Sequence, residues 1–115
     1  PPQTGCMGQN GRMPDTGVYV AVSEVAVAET GAGALEQAFV ERIHLVERAP
    51  GFVDIEVLRD RRHPGRYLMV SRWTSKARFA DYMKSEDHRR SHARIRTGPE
   101  GPAAAGFSDY DRIQI

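Results

Sequence analysis

The order of strand-like and helix-like segments constrains the fold of this chain more than any other feature. Residues 18–27 are dense in β-branched side chains, which favours a strand. After a Gly-rich break, residues 34–48 place apolar side chains at helical spacing, and Pro50 and Gly51 stop that helix. The chain is therefore predicted to open with a strand followed by a helix.

The second half of the chain is predicted to repeat this order with a hairpin in front. Residues 52–59 and 67–73 have the composition of two strands, joined by a turn at Pro64 and Gly65. Thr74 or Ser75 can then cap a helix. The hairpin therefore leads directly into the second helical region.

The second helical region is predicted to contain a kink. Ser85 is a further cap candidate and is followed by two acidic residues, which suit a helix N-terminus. We therefore expect a second helix over residues 86–96. A Gly/Pro/Ala loop over residues 98–106 and a final strand over residues 107–115 complete the predicted chain.

The resulting order, β-α-β-β-α-β, is that of the ferredoxin-like α+β fold. Two helices would cover one face of a four-stranded antiparallel sheet. The other face also carries apolar side chains and needs a cover. In so short a chain, a homodimer that packs sheet against sheet is the expected solution.

Composition narrows the class of protein. A chain of 115 residues, 40% apolar and 27% charged, suits one globular domain. We expect residues 1–17, rich in Gly and Pro, to form a flexible N-terminal tail or linker, and residues 18–115 to form the domain. The net charge of +1 and the lack of a long apolar run argue against nucleic-acid and membrane partners. Cys6 is the single cysteine, so the cytoplasm is the simplest location.

Arg42 is the first candidate for chemistry, because it lies on the apolar stripe of the first predicted helix. A charge at an inward position needs a partner or water. One interpretation is a snorkelling side chain or an ion pair with a nearby acid. The other is an anion clamp for a ligand carboxylate.

His88 and His92 are the second candidate, because their i, i+4 spacing places them on one helix face. Spacing alone leaves three interpretations open: a zinc-binding pair, partly exposed polar residues, or a heme ligand. The same helix carries a basic run that is either a solvated face or an attractor of anions such as heme propionates. That run consists of Arg89, Arg90, Arg94 and Arg96.

The segment from Trp73 to His92 resembles the antibiotic biosynthesis monooxygenase family. It follows the pattern W-x-S-x-x-x-F-x-x-[WY]-x-x-S through Phe79, Tyr82 and Ser85, with a histidine ten residues after the aromatic position. The resemblance extends to the heme-degrading, IsdG-like branch. It implies a homodimer of ferredoxin-like subunits, a dimeric α+β barrel, with a pocket between sheet and helices.

The resemblance also implies roles for particular residues. His92 matches the axial ligand of heme iron, and Arg42 matches an arginine beside the pocket. Tyr82 stands where the branch has a tryptophan that presses on heme, and Ser23 where it has an asparagine near the reacting oxygen. His88 and Arg89 are expected to help bind heme.

Three functions remain open from the sequence. The first is a monooxygenase that degrades heme, with heme as both cofactor and substrate, and with O2 and an unidentified electron donor. The second is a cofactor-independent monooxygenase that oxidises a phenolic or polyketide aromatic to a quinone. The third is a heme-binding domain without turnover, an outcome that the changes at Ser23 and Tyr82 would allow.

Overall fold

The computed structural model describes residues 18–42, 44–93 and 102–115, and their side chains except those of His92 and Ala93. The predicted N-terminal tail lies outside these residues. Four strands form one sheet, with α-helices packed on it and short 3-10 turns at Glu29–Gly31 and Val46–Arg48. The strands and helices are β1 Tyr19–Ala26, α1 Ala32–Val40, β2 Phe52–Arg59, β3 Arg66–Trp73, α2 Lys76–Met83, α3 Glu86–Ala93 and β4 Ala103–Asp111.

The sheet has the strand order β2-β3-β1-β4, and its neighbouring strands are all antiparallel. This arrangement confirms the predicted ferredoxin-like α+β fold. The β2–β3 hairpin is also confirmed. Its turn is held by Asp60, whose Oδ1 accepts the backbone N–H groups of Arg62 and His63 at 2.8 and 3.1 Å.

The main core lies at one end of the sheet, around Trp73, which is 1% exposed. Rings of Phe52, Phe79 and Tyr82 lie 5.4, 5.7 and 5.5 Å from it, centroid to centroid. The indole N–H donates to the hydroxyl of Ser71 at 2.9 Å, so its polar atom is satisfied. Helix α2 is held on the sheet by these aromatic contacts.

Helix α1 packs at the other end of β3, over Tyr67. The ring of Phe39 meets Tyr67 edge-on at 6.2 Å, and the Tyr67 hydroxyl donates to Glu36 at 2.6 Å. Burial, followed by this carboxylate, raises the pKa of Tyr67 to about 12. Leu35 adds a buried apolar contact. The two helices therefore sit over opposite ends of the sheet.

The predicted first helix is wrong beyond Val40. Residues 34–48 were expected to be continuous, but α1 ends at Val40 and His44 has a left-handed φ of 57°. An α-helix cannot continue through that conformation. Val46 still reaches the core, through a separate 3-10 turn. The spacing of apolar residues therefore predicted which side chains are buried, but it did not show that the helix is interrupted.

The last strand begins four residues earlier than predicted. It was expected at residues 107–115 but spans Ala103–Asp111, because it pairs with β1 from Ala26 back to Tyr19. The predicted loop over residues 98–106 is wrong for its last four residues. After Asp111, the backbone N–H of Arg112 still donates to the oxygen of Val18 at 2.8 Å.

Both predicted caps of the second helical region are present. Ser75 accepts the N–H of Arg78 at 3.2 Å, and Ser85 accepts the N–H of His88 at 3.1 Å. The kink between α2 and α3 is thereby confirmed, with α3 at Glu86–Ala93. The predicted end of that helix, near residue 96, lies outside the described residues.

Candidate functional site

A row of partly exposed side chains crosses the middle of the sheet. Strand register places Val57 opposite Met69, Met69 opposite Ser23, and Ser23 opposite Phe107. All four are less buried than the core, and Phe107 is 53% exposed. Met69 and Ser23 lie on the two central strands, where such positions are normally covered, so the row marks a gap in the helical layer.

The row faces the helices rather than the opposite side. Side chains alternate along a strand, and on β3 both Tyr67 and Trp73 contact helices, so Met69 between them shares that face. Tyr67 and Trp73 are 3% and 1% exposed, whereas Met69 is only partly buried. From this pattern of exposure we infer an apolar groove over the sheet between α1 and α2, with Ser23 as the polar group in its floor.

An aromatic wall borders this groove on the α2 side. The rings of Phe79 and Phe107 stack at 6.0 Å with their planes 13° apart. Phe79 also lies 5.5 Å from Tyr19. Phe107 was missed as a site residue by sequence reasoning. Its aromatic side chain in the last predicted strand was visible, but only strand pairing shows that it meets α2.

Tyr82 connects α2 with α3. Its ring lies 5.5 Å from Trp73 and meets the imidazole of His88 edge-on at 5.3 Å. Burial raises the pKa of Tyr82, while a hydrogen bond with Ser91 lowers it. The phenol is therefore neutral at pH 7, with its apolar ring packed and its hydroxyl bonded to α3.

Arg42 does not lie on an inward stripe of α1. It follows the end of that helix, and its guanidinium contacts both carboxylate oxygens of Glu47, one at 3.0 Å. Chiefly through Arg42, with a contribution from His44 at 3.3 Å, the pKa of Glu47 falls to about 2. The ion-pair interpretation of Arg42 is therefore the one that the structure shows.

The charges of Arg42 and Glu47 have small opposing effects on the pKa of Tyr82, so the ion pair acts on that tyrosine through electrostatics rather than through a hydrogen bond. Two predicted site residues, Tyr82 and His88, are brought into direct contact. Ser23 lies apart from them in the floor of the groove. Arg89 instead pairs with Glu86 on its own helix and is 66% exposed.

His92 lies one turn beyond His88 on α3, and its side chain is outside the described part of the structure. The zinc interpretation required a third ligand near these histidines. Among the described side chains, no three His, Cys, Asp or Glu residues form a group suited to a metal ion. In the described part of the chain, no helix has the length and apolar character needed to cross a membrane.

A cleft of about 250 Å³ opens beside Tyr82, between the segment Arg48 to Pro50 and the helices α2 and α3. Of the predicted site residues whose side chains the structure describes, Tyr82 alone lines it. A salt bridge from Arg48 to Asp87 joins two of its lining residues. The cleft therefore lies where α3 joins the rest of the domain, and it is distinct from the groove over the sheet.

Comparison with known proteins agrees with this architecture. Residues 18–94 match the family model for antibiotic biosynthesis monooxygenases. Over 61 residues the chain is 38% identical to the mycobilin-producing heme oxygenase of Mycobacterium tuberculosis, in strains CDC 1551 and H37Rv. That match covers 50% of this chain and 58% of the relative.

Solved structures share the whole fold. The heme degrader MhuD of Mycobacterium tuberculosis, with two hemes in its active site, superposes with a TM-score of 0.69 at 26% identity, over 84% of this chain and 97% of MhuD. A protein of Bordetella bronchiseptica, assigned to antibiotic biosynthesis monooxygenases, gives a TM-score of 0.72 over 85% of this chain and 99% of its own. At 17% identity, that second likeness shows the fold alone.

Proposed function

The chain belongs to the antibiotic biosynthesis monooxygenase family, and we propose that it binds heme and cleaves the porphyrin ring with O2 and an external electron donor. The family match confirms the resemblance seen from Trp73 to His92. The observation that carries the proposal is the uncovered apolar row between α1 and α2. A heme oxygenase and a heme-bound MhuD among the similar proteins support it.

The groove has the chemistry that a porphyrin requires. A porphyrin is a flat apolar ring with two carboxylates, so it needs an apolar floor, an aromatic wall and nearby cations. Met69 and Val57 supply apolar floor, and the stacked Phe79 and Phe107 supply a wall. Arg42 supplies a cation near Tyr82, although Glu47 neutralises it in the free protein.

Each predicted site residue has a role in this proposal. His92 would hold the iron through a neutral imidazole, and bound heme would supply the iron chemistry that activates O2. Tyr82 would pack on the ring, in a position already fixed by Trp73 and His88. Ser23, in the floor of the groove, would donate a hydrogen bond to the reacting oxygen.

The cationic residues would bind the propionates. Arg42 would exchange Glu47 for a heme carboxylate, which keeps the charge balanced. Arg89 would exchange Glu86 in the same way, and His88 would close the pocket beside Tyr82. These exchanges predict a modest affinity, since each replaces an existing ion pair.

We also propose that the protein acts as a homodimer. On the sheet face away from the helices, strand alternation exposes apolar side chains such as Leu58 and Leu68, which are 44% and 37% exposed. Tyr110 of β4 is 57% exposed. A second copy packed on this face would remove these side chains from water. Sedimentation equilibrium of the protein measures this directly.

Titration with hemin followed by ascorbate in air tests the main proposal. We expect a Soret shift on binding, followed by loss of the Soret band and release of iron. His92→Ala should abolish the bound spectrum. His63→Ala is the matched control, because His63 lies in the β2–β3 turn, 64% exposed and paired with Asp60. No Soret shift, or a His92→Ala variant that behaves like the parent, would overturn the proposal.

The alternative is cofactor-independent oxidation of a phenolic aromatic in the same groove. It is favoured by Tyr82 and Ser23, which replace residues that the heme-degrading branch uses. It predicts O2 uptake with an anthrone-type substrate in metal-free protein and no Soret shift with hemin. A stable heme spectrum that persists under ascorbate and O2 would instead identify a binding domain without turnover.

A further inference from the structure

Helix α3 carries both candidate histidines but has little apolar attachment to the rest of the domain. None of its described side chains is buried, and its residues are almost all polar or charged. Short helices of this kind gain most of their stability from tertiary contacts. The position of α3 must therefore depend on a few specific interactions.

Several such interactions are visible among the described side chains. Ser85 caps the helix and donates from its hydroxyl to the carbonyl of Tyr82 at 2.6 Å. The imidazole of His88 contacts the ring of Tyr82. Together with the hydrogen bond between Tyr82 and Ser91, both of these link α3 to α2, its neighbour in sequence. A further contact, between Asp87 and Arg48, ties α3 to a part of the chain that is distant in sequence.

The Arg48–Asp87 contact is bidentate. Nε and one terminal nitrogen of Arg48 donate to the two oxygens of Asp87 at 2.7 and 2.8 Å, and the residues are 39 positions apart. Two parallel hydrogen bonds fix orientation as well as distance. Asp87 lies in the first turn of α3, where a carboxylate is also favoured by the helix dipole.

Arg48 is itself attached to the core. It ends the 3-10 turn Val46–Arg48, in which Val46 is 7% exposed, and the turn leads through Ala49 to the backbone bond from Phe52 to Ala49. The guanidinium is therefore presented from a fixed segment. Among charged groups near Asp87, Arg90 of the same helix adds a weaker attraction that does not link α3 to the sheet.

We propose that Arg48 and Asp87 form a positioning pair that sets the orientation of α3, and with it the histidine face, relative to the groove. Asp87 adjoins His88, so rotation of α3 about its N-terminus would also break the contact between His88 and Tyr82. The structural part of this inference is independent of heme. Its consequence for the histidines rests on the proposed function.

Hydrogen exchange in the ligand-free full chain tests the structural part. Arg48→Ala should speed amide exchange in residues 88–93 about threefold, while exchange in β3 stays unchanged. Arg48→Lys should recover part of the protection, since one hydrogen bond can re-form. Arg59→Ala is the matched control: Arg59 is 66% exposed, like Arg48 at 62%, but its two bonds to Glu36 hold α1.

Unchanged exchange in α3, or an equal increase in β3, would overturn the inference. Hemin titration of the same variants tests the consequence: Arg48→Ala should weaken the Soret shift that His92→Ala abolishes, and Arg48→Lys should recover part of it. A parent protein with no Soret shift would defeat the proposed function, while the exchange data would still decide the positioning pair. A parent-like Soret shift in Arg48→Ala would overturn the link to the histidines.

Discussion

Replacing Glu47 by Gln should destabilise the domain while freeing Arg42. Glu47 accepts both arms of the Arg42 guanidinium and contacts His44, which lowers its pKa from 4.5 to about 2. At about 1.36 kcal/mol per unit, the full shift would correspond to roughly 3.4 kcal/mol. Because the Glu47 side chain is 39% exposed, solvent screening reduces this to about 1 kcal/mol at pH 7.

The pH dependence has a defined sign. The pKa of Glu47 is lower in the folded protein than in the unfolded chain, so its contribution is fully present above pH 4.5. The contribution is lost as the pH falls from 4.5 toward 2, because the carboxylate takes up a proton. Glu47→Gln should therefore be less stable than the parent at pH 7, and the difference should shrink at pH 3.

Urea unfolding followed by circular dichroism at pH 7 and pH 3 measures both values. Glu56→Gln is a suitable control, because its partner Arg72 retains a second carboxylate, Asp54, at 3.0 Å. A Glu47→Gln variant as stable as the parent at pH 7 would refute the reasoning. So would a deficit of equal size at the two pH values.

The same substitution has a consequence for ligand binding. If hemin carboxylates compete with Glu47 for Arg42, Glu47→Gln should bind hemin more tightly than the parent. Hemin dimethyl ester, which has no free carboxylate, should show no such gain. Equal gains for both ligands would mean that loss of the Glu47 charge improves binding without a role for the hemin carboxylates, which would contradict competition for Arg42.

Four further substitutions follow from the structure. Gly65→Ala should cost about 1–3 kcal/mol in urea unfolding, because Gly65 has a φ of 90° and its Cβ would lie 2.2 Å from a backbone oxygen. Gly33→Ala, in open space within α1, should instead stabilise by about 0.5–1 kcal/mol. Trp73→Phe should cost about 1–3 kcal/mol by circular dichroism, because the buried indole N–H bond is lost. Under the proposed function, Tyr82→Trp should accelerate Soret loss with ascorbate; an unchanged rate would count against ring packing by Tyr82.

Local signals were sufficient for the elements that local chemistry defines. The β-branched segment, the hairpin turn and the caps at Ser75 and Ser85 each depend on neighbouring residues, and each is present. The first helix was predicted too long, because apolar spacing reports which residues are buried but not whether the backbone is continuous between them. The left-handed residue at His44 carries no such periodic signal.

The candidate site was predictable only in part. Tyr82 and His88 are close in sequence, and their ring contact follows from two capped helices. The partner of Arg42 could be anticipated as an acid, but choosing Glu47 required the end of α1 at Val40 and the left-handed residue His44. Phe107 and Asp87 gained their significance from Phe79 and Arg48, which are distant in sequence.

The sequence by itself determined the order of elements, the family pattern from Trp73 to His92, and the residue types available for chemistry. Those properties depend on composition and spacing over a few residues. Tertiary structure alone decided which part of the sheet stays uncovered and which charges are paired. The uncovered area and the charge pairing both depend on where α1 and α2 pack on the sheet. Their positions are set by Tyr67 and Trp73, which lie at opposite ends of β3.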